Sequence, residues 1–158
     1  TGMYKNILLV GAEMHSMGLD YSDEGRAVTV IFGDGAGAVI LQPTEKEGQG
    51  ILTTHLHADG THAEELAMIN PGSHGGYHLG TEKFGYPDPS VPGGFVQRAL
   101  KLPDEKVVNN IQKYGNTTAA SIPLAMCEAW EQGRIKEGDL VCLAAFGSGF
   151  TWGSALIR

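Results

Sequence analysis

A loop, helix, strand, loop succession between Tyr114 and Ser154 limits what this chain can fold into more than any other stretch does. Tyr114-Gly115-Asn116-Thr117-Thr118 is a polar turn opening onto a helical run at residues 119–132, which Gly133 stops. Pro123 fits such a helix only within its first turn, where its missing N–H is not needed, so the spacing predicts a start near Ala119 or Ala120. Ala120, Pro123, Cys127 and Trp130 then share one apolar face. Residues 140–145 are a buried strand ending in Phe146-Gly147-Ser148-Gly149-Phe150. Asn116 supplies a side-chain amide donor, and the glycine-flanked turn lets backbone N–H groups approach a ligand closely. Two such turns beside one pocket can hold a reacting carbonyl.

The rest of the chain reads as α/β. Residues 5–13, centred on Ile7-Leu8-Leu9-Val10, form a continuous apolar run that suits a strand buried on both faces of a mainly parallel sheet. Residues 14–26 are a polar loop. Residues 27–32 and 38–41 are β-branched and apolar, with Gly33-Asp34-Gly35-Ala36-Gly37 between them. A dinucleotide-binding glycine loop must open a helix, whereas Val39-Ile40-Leu41 continues as a strand, so a hairpin is expected and nucleotide binding is not. Residues 51–57 are the next strand. Residues 61–94, broken by glycines and by Pro71, Pro87, Pro89 and Pro92, read as a flexible insertion. A helix over residues 95–102 ends at Pro103, residues 104–112 suit a strand, and residues 154–158 a closing strand.

A net charge of −7 disfavours a nucleic-acid partner, which depends on clustered Lys and Arg. No apolar run reaches the roughly 18 residues of a membrane span, and no cationic leader precedes an apolar stretch, so a cytoplasmic protein without a membrane partner is expected. Cys127 and Cys142 do not make a disulfide framework, and their apolar surroundings predict buried thiols. His55 and His57 would point to one face of a strand, with His62, His74 and His78 further on. No cysteine or carboxylate stands near enough to complete a tetrahedral set, so polar strand-end histidines are favoured over a metal site.

Tyr114 through Ser121, followed by Phe146 through Arg158, resembles the C-terminal signature of ketoacyl-acyl carrier protein synthase III. The likeness extends to Ile31-Phe32-Gly33-Asp34-Gly35-Ala36-Gly37-Ala38 and to His55-Leu56-His57-Ala58-Asp59-Gly60. It implies an incomplete thiolase-like layered fold: residues 1–60 as the end of the N-terminal half plus the first strand of the C-terminal half, and residues 95–158 as the remainder of that half. It implies a fatty-acid-initiating acyltransferase that joins an acyl-coenzyme A to malonyl-acyl carrier protein by decarboxylative Claisen condensation. Coenzyme A thioester would be substrate and no cofactor would be needed. The acyl carrier protein would be the partner, the parent enzyme a homodimer, and no metal is implied.

The family's catalytic asparagine falls on Asn116, and its oxyanion-binding and substrate-binding turn on Phe146, Gly147 and Ser148. Family members commonly carry a glycine where Ser148 stands. A hydrolase reading of Ser148 fails on spacing, since Phe146 occupies the position where Gly-x-Ser-x-Gly needs glycine. Taken alone, Asn116 is better read as an ordinary helix-capping residue, and only the residues around it reverse that preference. The family's nucleophilic cysteine lies upstream of the strand matching residues 7–10, and its His-Gln-Ala-Asn motif has no counterpart before Phe95, where Gly94 runs straight into the helix. The 158 residues alone are therefore expected to be inactive. A polyketide-starter or hydroxymethylglutaryl-coenzyme A type synthase is the neighbouring alternative, and a non-catalytic binding or assembly module the alternative of another class.

Overall fold

A computed structural model describes residues 2–63 and 95–158, so the insertion expected at 61–94 lies, beyond its first three residues, outside the described residues. Strands β1 (Ile7–Glu13) and β2 (Gly35–Leu41) pair antiparallel, from Ile7 opposite Leu41 to Glu13 opposite Gly35. Strands β3 (Ile51–Ala58), β4 (Val141–Gly147) and β5 (Thr151–Ile157) form a second sheet in the order β3-β5-β4. The expected strands at residues 7–10, 39–41, 51–55 and 140–145 coincide with or overlap β1 to β4.

The expected mainly parallel arrangement is corrected, because every strand pair among the described residues is antiparallel. The links explain this in part. Ser148, Gly149 and Phe150 alone join β4 to β5, whereas a parallel pair needs a crossover of about a dozen residues or more. Phe32 and Asn116 make a single parallel bridge outside the strands.

Two further expectations fail for local reasons. Residues 27–32 are not the first arm of a hairpin: α1 (Arg26–Thr29) begins where the Gly25 carbonyl accepts the N–H groups of Val28 and Thr29, and Val28 is 3% exposed. Burying that valine outweighs the β propensity of the run. β2 pairs with β1 instead, and a helix preceding a strand is the reverse of a dinucleotide fingerprint. Residues 104–112 are not a strand either. Arg134 Nη2 donates to the carbonyls of Asp104, Glu105 and Val107, at 2.8 Å to the last, and so occupies acceptors that a ladder would use. The chain then enters α3 (Ile111–Tyr114).

Helix α2 (Phe95–Ala99) opens the second described segment, and α4 (Ser121–Glu131) follows a 3-10 turn over Thr118–Ala120. Pro123 is the third residue of α4, inside its first turn as expected. Turn and helix lie on the β1–β2 pair, with Ala120 and Ala129 fully buried. Other predicted core positions are uncovered. Ile7, Leu8, Leu9 and Val10 are between 46% and 66% exposed, because the elements packed on this sheet meet β1 near Gly11 and leave its first half bare. Cys127 and Cys142 are exposed as well. On α4, Cys127 and the exposed Trp130 line a cavity of about 490 Å³ together with Val39, Pro123, Met126 and Val141. The burial expected for both thiols is thereby overturned.

The contact between the 118–120 turn and β1 has no slack. A Cβ on Gly11 would sit 2.2 Å from the Ala119 carbonyl oxygen, a backbone atom that cannot swing aside. Gly11→Ala should destabilise the fold by about 1–3 kcal/mol, the usual cost of overpacking, read as a lower urea midpoint. An unchanged midpoint would show that the turn is free to lift away.

Candidate functional site

Asn116 sits where two segments of chain run side by side. Its N–H donates to the Ile31 carbonyl at 2.7 Å, and its own carbonyl accepts the Gly33 N–H at 3.1 Å. The approach requires glycine at 33, since a Cβ there would lie 2.1 Å from the Tyr114 carbonyl oxygen. The side-chain Oδ1 accepts the Thr118 N–H at 2.9 Å. That bond orients the carboxamide, because an N–H can be met only by the oxygen end. Asn116 Nδ2 has no hydrogen-bond partner among the described residues and is left as a donor. The turn-closing acceptor and the donor thus fall to opposite ends of one side chain, and Asn116 is not a helix cap, since Thr117 and Ala120 hold the cap positions of the 118–120 turn and of α4.

The turn beneath is rigid. Thr117 is 1% exposed, and its N–H and hydroxyl both meet Ser121 Oγ, at 3.1 and 3.0 Å. On the approach side, Glu128 of α4 accepts from Lys113 at 2.8 Å and Asn110 at 3.0 Å, tying α3 to α4. Those two bonds, that of Lys113 first, hold the Glu128 carboxyl below its ordinary range.

Two residues that the sequence did not single out brace the other side. His15 Nδ1 donates to the Gly33 carbonyl at 2.9 Å, and its ring lies 4.8 Å from the Phe32 ring. Ser16 donates twice to the Asp34 carboxylate, from its N–H at 2.8 Å and its hydroxyl at 2.5 Å. The hydroxyl bond, then the backbone one, lowers the Asp34 pKa from its ordinary 3.8. His15 and Ser16 lie in a stretch with no motif, and each bond spans 18 residues, so no local pattern announces them.

Phe146, Gly147 and Ser148 lie at the far end of the second sheet. Phe146 and Phe150 bracket the turn with ring centroids 5.1 Å apart, and the Ser148 carbonyl accepts from Thr151 Oγ1 at 3.0 Å. Asp59 and Phe150 exchange backbone hydrogen bonds of 2.8 Å, fastening this turn to the end of β3. Among the described residues no hydrogen bond or ring contact joins it to the Asn116 turn, and neither Asn116 nor Ser148 lines the 490 Å³ cavity.

The histidines of β3 and of the turn at Gly60–His62 have partners of other kinds. His55 Nε2 meets Thr53 Oγ1 at 3.1 Å, while His57 stacks on Trp152 at 5.5 Å and His62 on Phe150 at 5.8 Å. His74 and His78 lie outside the described residues. Among the described residues no three His, Cys, Asp or Glu converge as metal ligands, and no helix is long and apolar enough to cross a membrane.

Comparison with known proteins matches residues 1–60 to the family model described as 3-Oxoacyl-[acyl-carrier-protein (ACP)] synthase III and residues 94–158 to its C-terminal companion. The Beta-ketoacyl-[acyl-carrier-protein] synthase III of Sulfurovum sp. is 38% identical over 199 residues, covering 99% of this chain and 58% of the relative. That of Rhizobium johnstonii is 40% identical, covering 99% and 60%. The alignment of 199 residues is longer than the 158-residue chain, so the relative has positions with no counterpart here. The crystal structure of 3-oxoacyl-[acyl-carrier-protein] synthase III from Aquifex aeolicus superposes with a TM-score of 0.79 at 35% identity, over 98% of this chain and 58% of that one. The Pseudomonas aeruginosa structure gives 0.80 at 31%, over 99% and 59%. The incomplete thiolase-like α/β fold is confirmed, and the chain spans about 60% of the length of the curated relatives it matches.

The Ser16–Asp34 clamp carries a pH signature. A carboxyl whose pKa is lowered by folding stabilises the fold fully above its unfolded value and loses that contribution as pH falls through the lower folded value. The stability difference between the parent and Asp34→Asn should therefore be full at neutral pH and close below about 3.8, measured by urea denaturation across pH. A difference that persists unchanged into strong acid would remove the charged clamp.

Proposed function

We propose that this chain, which belongs to the 3-oxoacyl-[acyl-carrier-protein] synthase III family, is part of an enzyme that starts fatty-acid chains by condensing an acyl-coenzyme A with malonyl-acyl carrier protein. In that chemistry an active cysteine thiolate takes the acyl group as coenzyme A leaves. Decarboxylation of the malonyl thioester leaves its bonding pair as an enolate, whose carbon attacks the acyl carbonyl. Collapse of the tetrahedral intermediate then expels the cysteine thiolate and leaves a 3-oxoacyl thioester on the carrier.

The observation that carries the proposal is the orientation of Asn116. Its oxygen is engaged by the Thr118 N–H, so the outward group is an N–H donor of the kind an enolate oxygen needs. A rigid donor costs little reorganisation when charge develops. The Ser148 amide, presented beside Phe146 and Gly147, is assigned to the oxyanion of the acyl intermediate. The whole enzyme is taken to be a cytosolic homodimer that works with the acyl carrier protein.

The 158 residues alone are taken to be inactive in condensation. The ground is the sequence, in which no His-Gln-Ala-Asn motif occurs and the nucleophile position of the family lies before the first matched strand. Burial of the thiols gives no support, since both are exposed. Incubation of the chain with acetyl-coenzyme A should acetylate Cys127 and Cys142 no faster than a small free thiol, followed by intact mass. Rapid stoichiometric labelling of one of them would identify a nucleophile within the chain.

In the full-length enzyme, Asn116→Ala should slow condensation by about 10²–10³-fold while leaving acyl loading from coenzyme A nearly intact, because the enolate forms only in the second half-reaction. Single-turnover measurement of each half separates the two, and equal loss in both would reassign Asn116 to a structural role.

A further inference from the structure

We infer that His15 is a positioning residue for Asn116, gripping the residues on both sides of the peptide whose N–H holds the Asn116 carbonyl. That peptide joins Phe32 to Gly33. Its N–H donates to the Asn116 carbonyl at 3.1 Å, and the neighbouring Ile31 carbonyl accepts the Asn116 N–H at 2.7 Å. His15 meets the Phe32 ring at 4.8 Å and, through Nδ1, donates to the Gly33 carbonyl at 2.9 Å. A carbonyl only accepts, so the proton is on Nδ1 and the ring orientation is determined.

The grip has its own anchor. Ser16, the next residue, is bound twice to Asp34, the residue after Gly33, so the histidine loop is tied to the 31–34 strap. Strap and Asn116 turn are joined by backbone bonds alone, with the close approach at Gly33 leaving no room for a compensating shift. A rotation of the Phe32–Gly33 peptide therefore redirects the Asn116 backbone, and with it the donor at Nδ2. Groups that orient a reacting side chain from behind change activity by about 10–100-fold when removed, as they do at metal ligands.

The inference rests on the reading of Asn116 as the enolate donor, and the test separates the two. In the full-length enzyme, His15→Phe keeps a ring against Phe32 and deletes the donor. It should lower the condensation rate about tenfold at unchanged KM for the malonyl substrate, with acyl loading within about twofold of the parent. His15→Asn, whose carboxamide can donate from near the Nδ1 position, should recover most of the loss. If His15→Phe proves too unstable to assay, Asp34→Ala removes the acceptor of both Ser16 bonds without touching the ring and should show the same split. Parental condensation in His15→Phe beside a crippled Asn116→Ala would overturn the role of His15 alone. Equal loss of loading and condensation, or no recovery in His15→Asn, would overturn it too. Unimpaired condensation in Asn116→Ala would remove the reading of Asn116 and the inference with it.

Discussion

The backbone of residues 114–120 is pressed directly onto the backbone of β1 and of the 31–34 strap, and the rest of the described structure hangs from that contact. At Gly11 and Gly33 a side chain as small as a methyl group would meet a carbonyl oxygen at about 2 Å, at 2.2 Å from Ala119 and 2.1 Å from Tyr114. The approach places Ala120 out of solvent, sets α4 on β2 and lets Asn116 bond both Ile31 and Gly33. Stability and the candidate chemistry are therefore coupled here. The atoms that orient the Asn116 donor are those that close the small core.

Elsewhere the chain presents apolar surface that a complete layered domain would cover. Both faces of the Ile7–Val10 run are open, Trp130 is 59% exposed, and the wall of the 490 Å³ cavity is built from α4 against β2, β4 and β5. Helices on both faces are what make a strand of continuous apolar residues favourable, through burial worth about 25 cal/mol per Å². The chain spans about 60% of its relatives, and the described residues supply cover near Gly11 but not over Ile7–Val10. The exposure of Cys127 and Cys142 follows from the same fact: residue type indicates a preference for burial, while burial itself needs a neighbour.

The two halves of the candidate site differ in how they are held. Asn116 is braced from both directions, by Thr118 and the Thr117–Ser121 pair on its own side and by the His15 and Asp34 loop across the strap. The Ser148 turn is held by the backbone exchange between Asp59 and Phe150 and by the bond from Thr151 Oγ1 to the Ser148 carbonyl, and is otherwise dressed with aromatic rings. A donor that must meet developing charge benefits from the first kind of support, because reorganisation avoided in advance is barrier avoided later.

Local chemistry was legible in the sequence wherever it had no competitor. Pro123 restricted the start of α4, and the residues around Asn116 and Ser148 carried the family. Periodicity also located the strands at residues 7–10, 39–41 and 51–55. It misread residues 27–32 and 104–112, where a buried Val28 and the reach of Arg134 into three carbonyls outweighed a weak β preference. The pairing partner of β2, the antiparallel sense of both sheets, the free end of the Asn116 carboxamide and the bond from His15 to Gly33 belong to the tertiary structure. Each depends on groups far apart in the chain, and spacing along a sequence carries no record of which distant carbonyl an N–H will find.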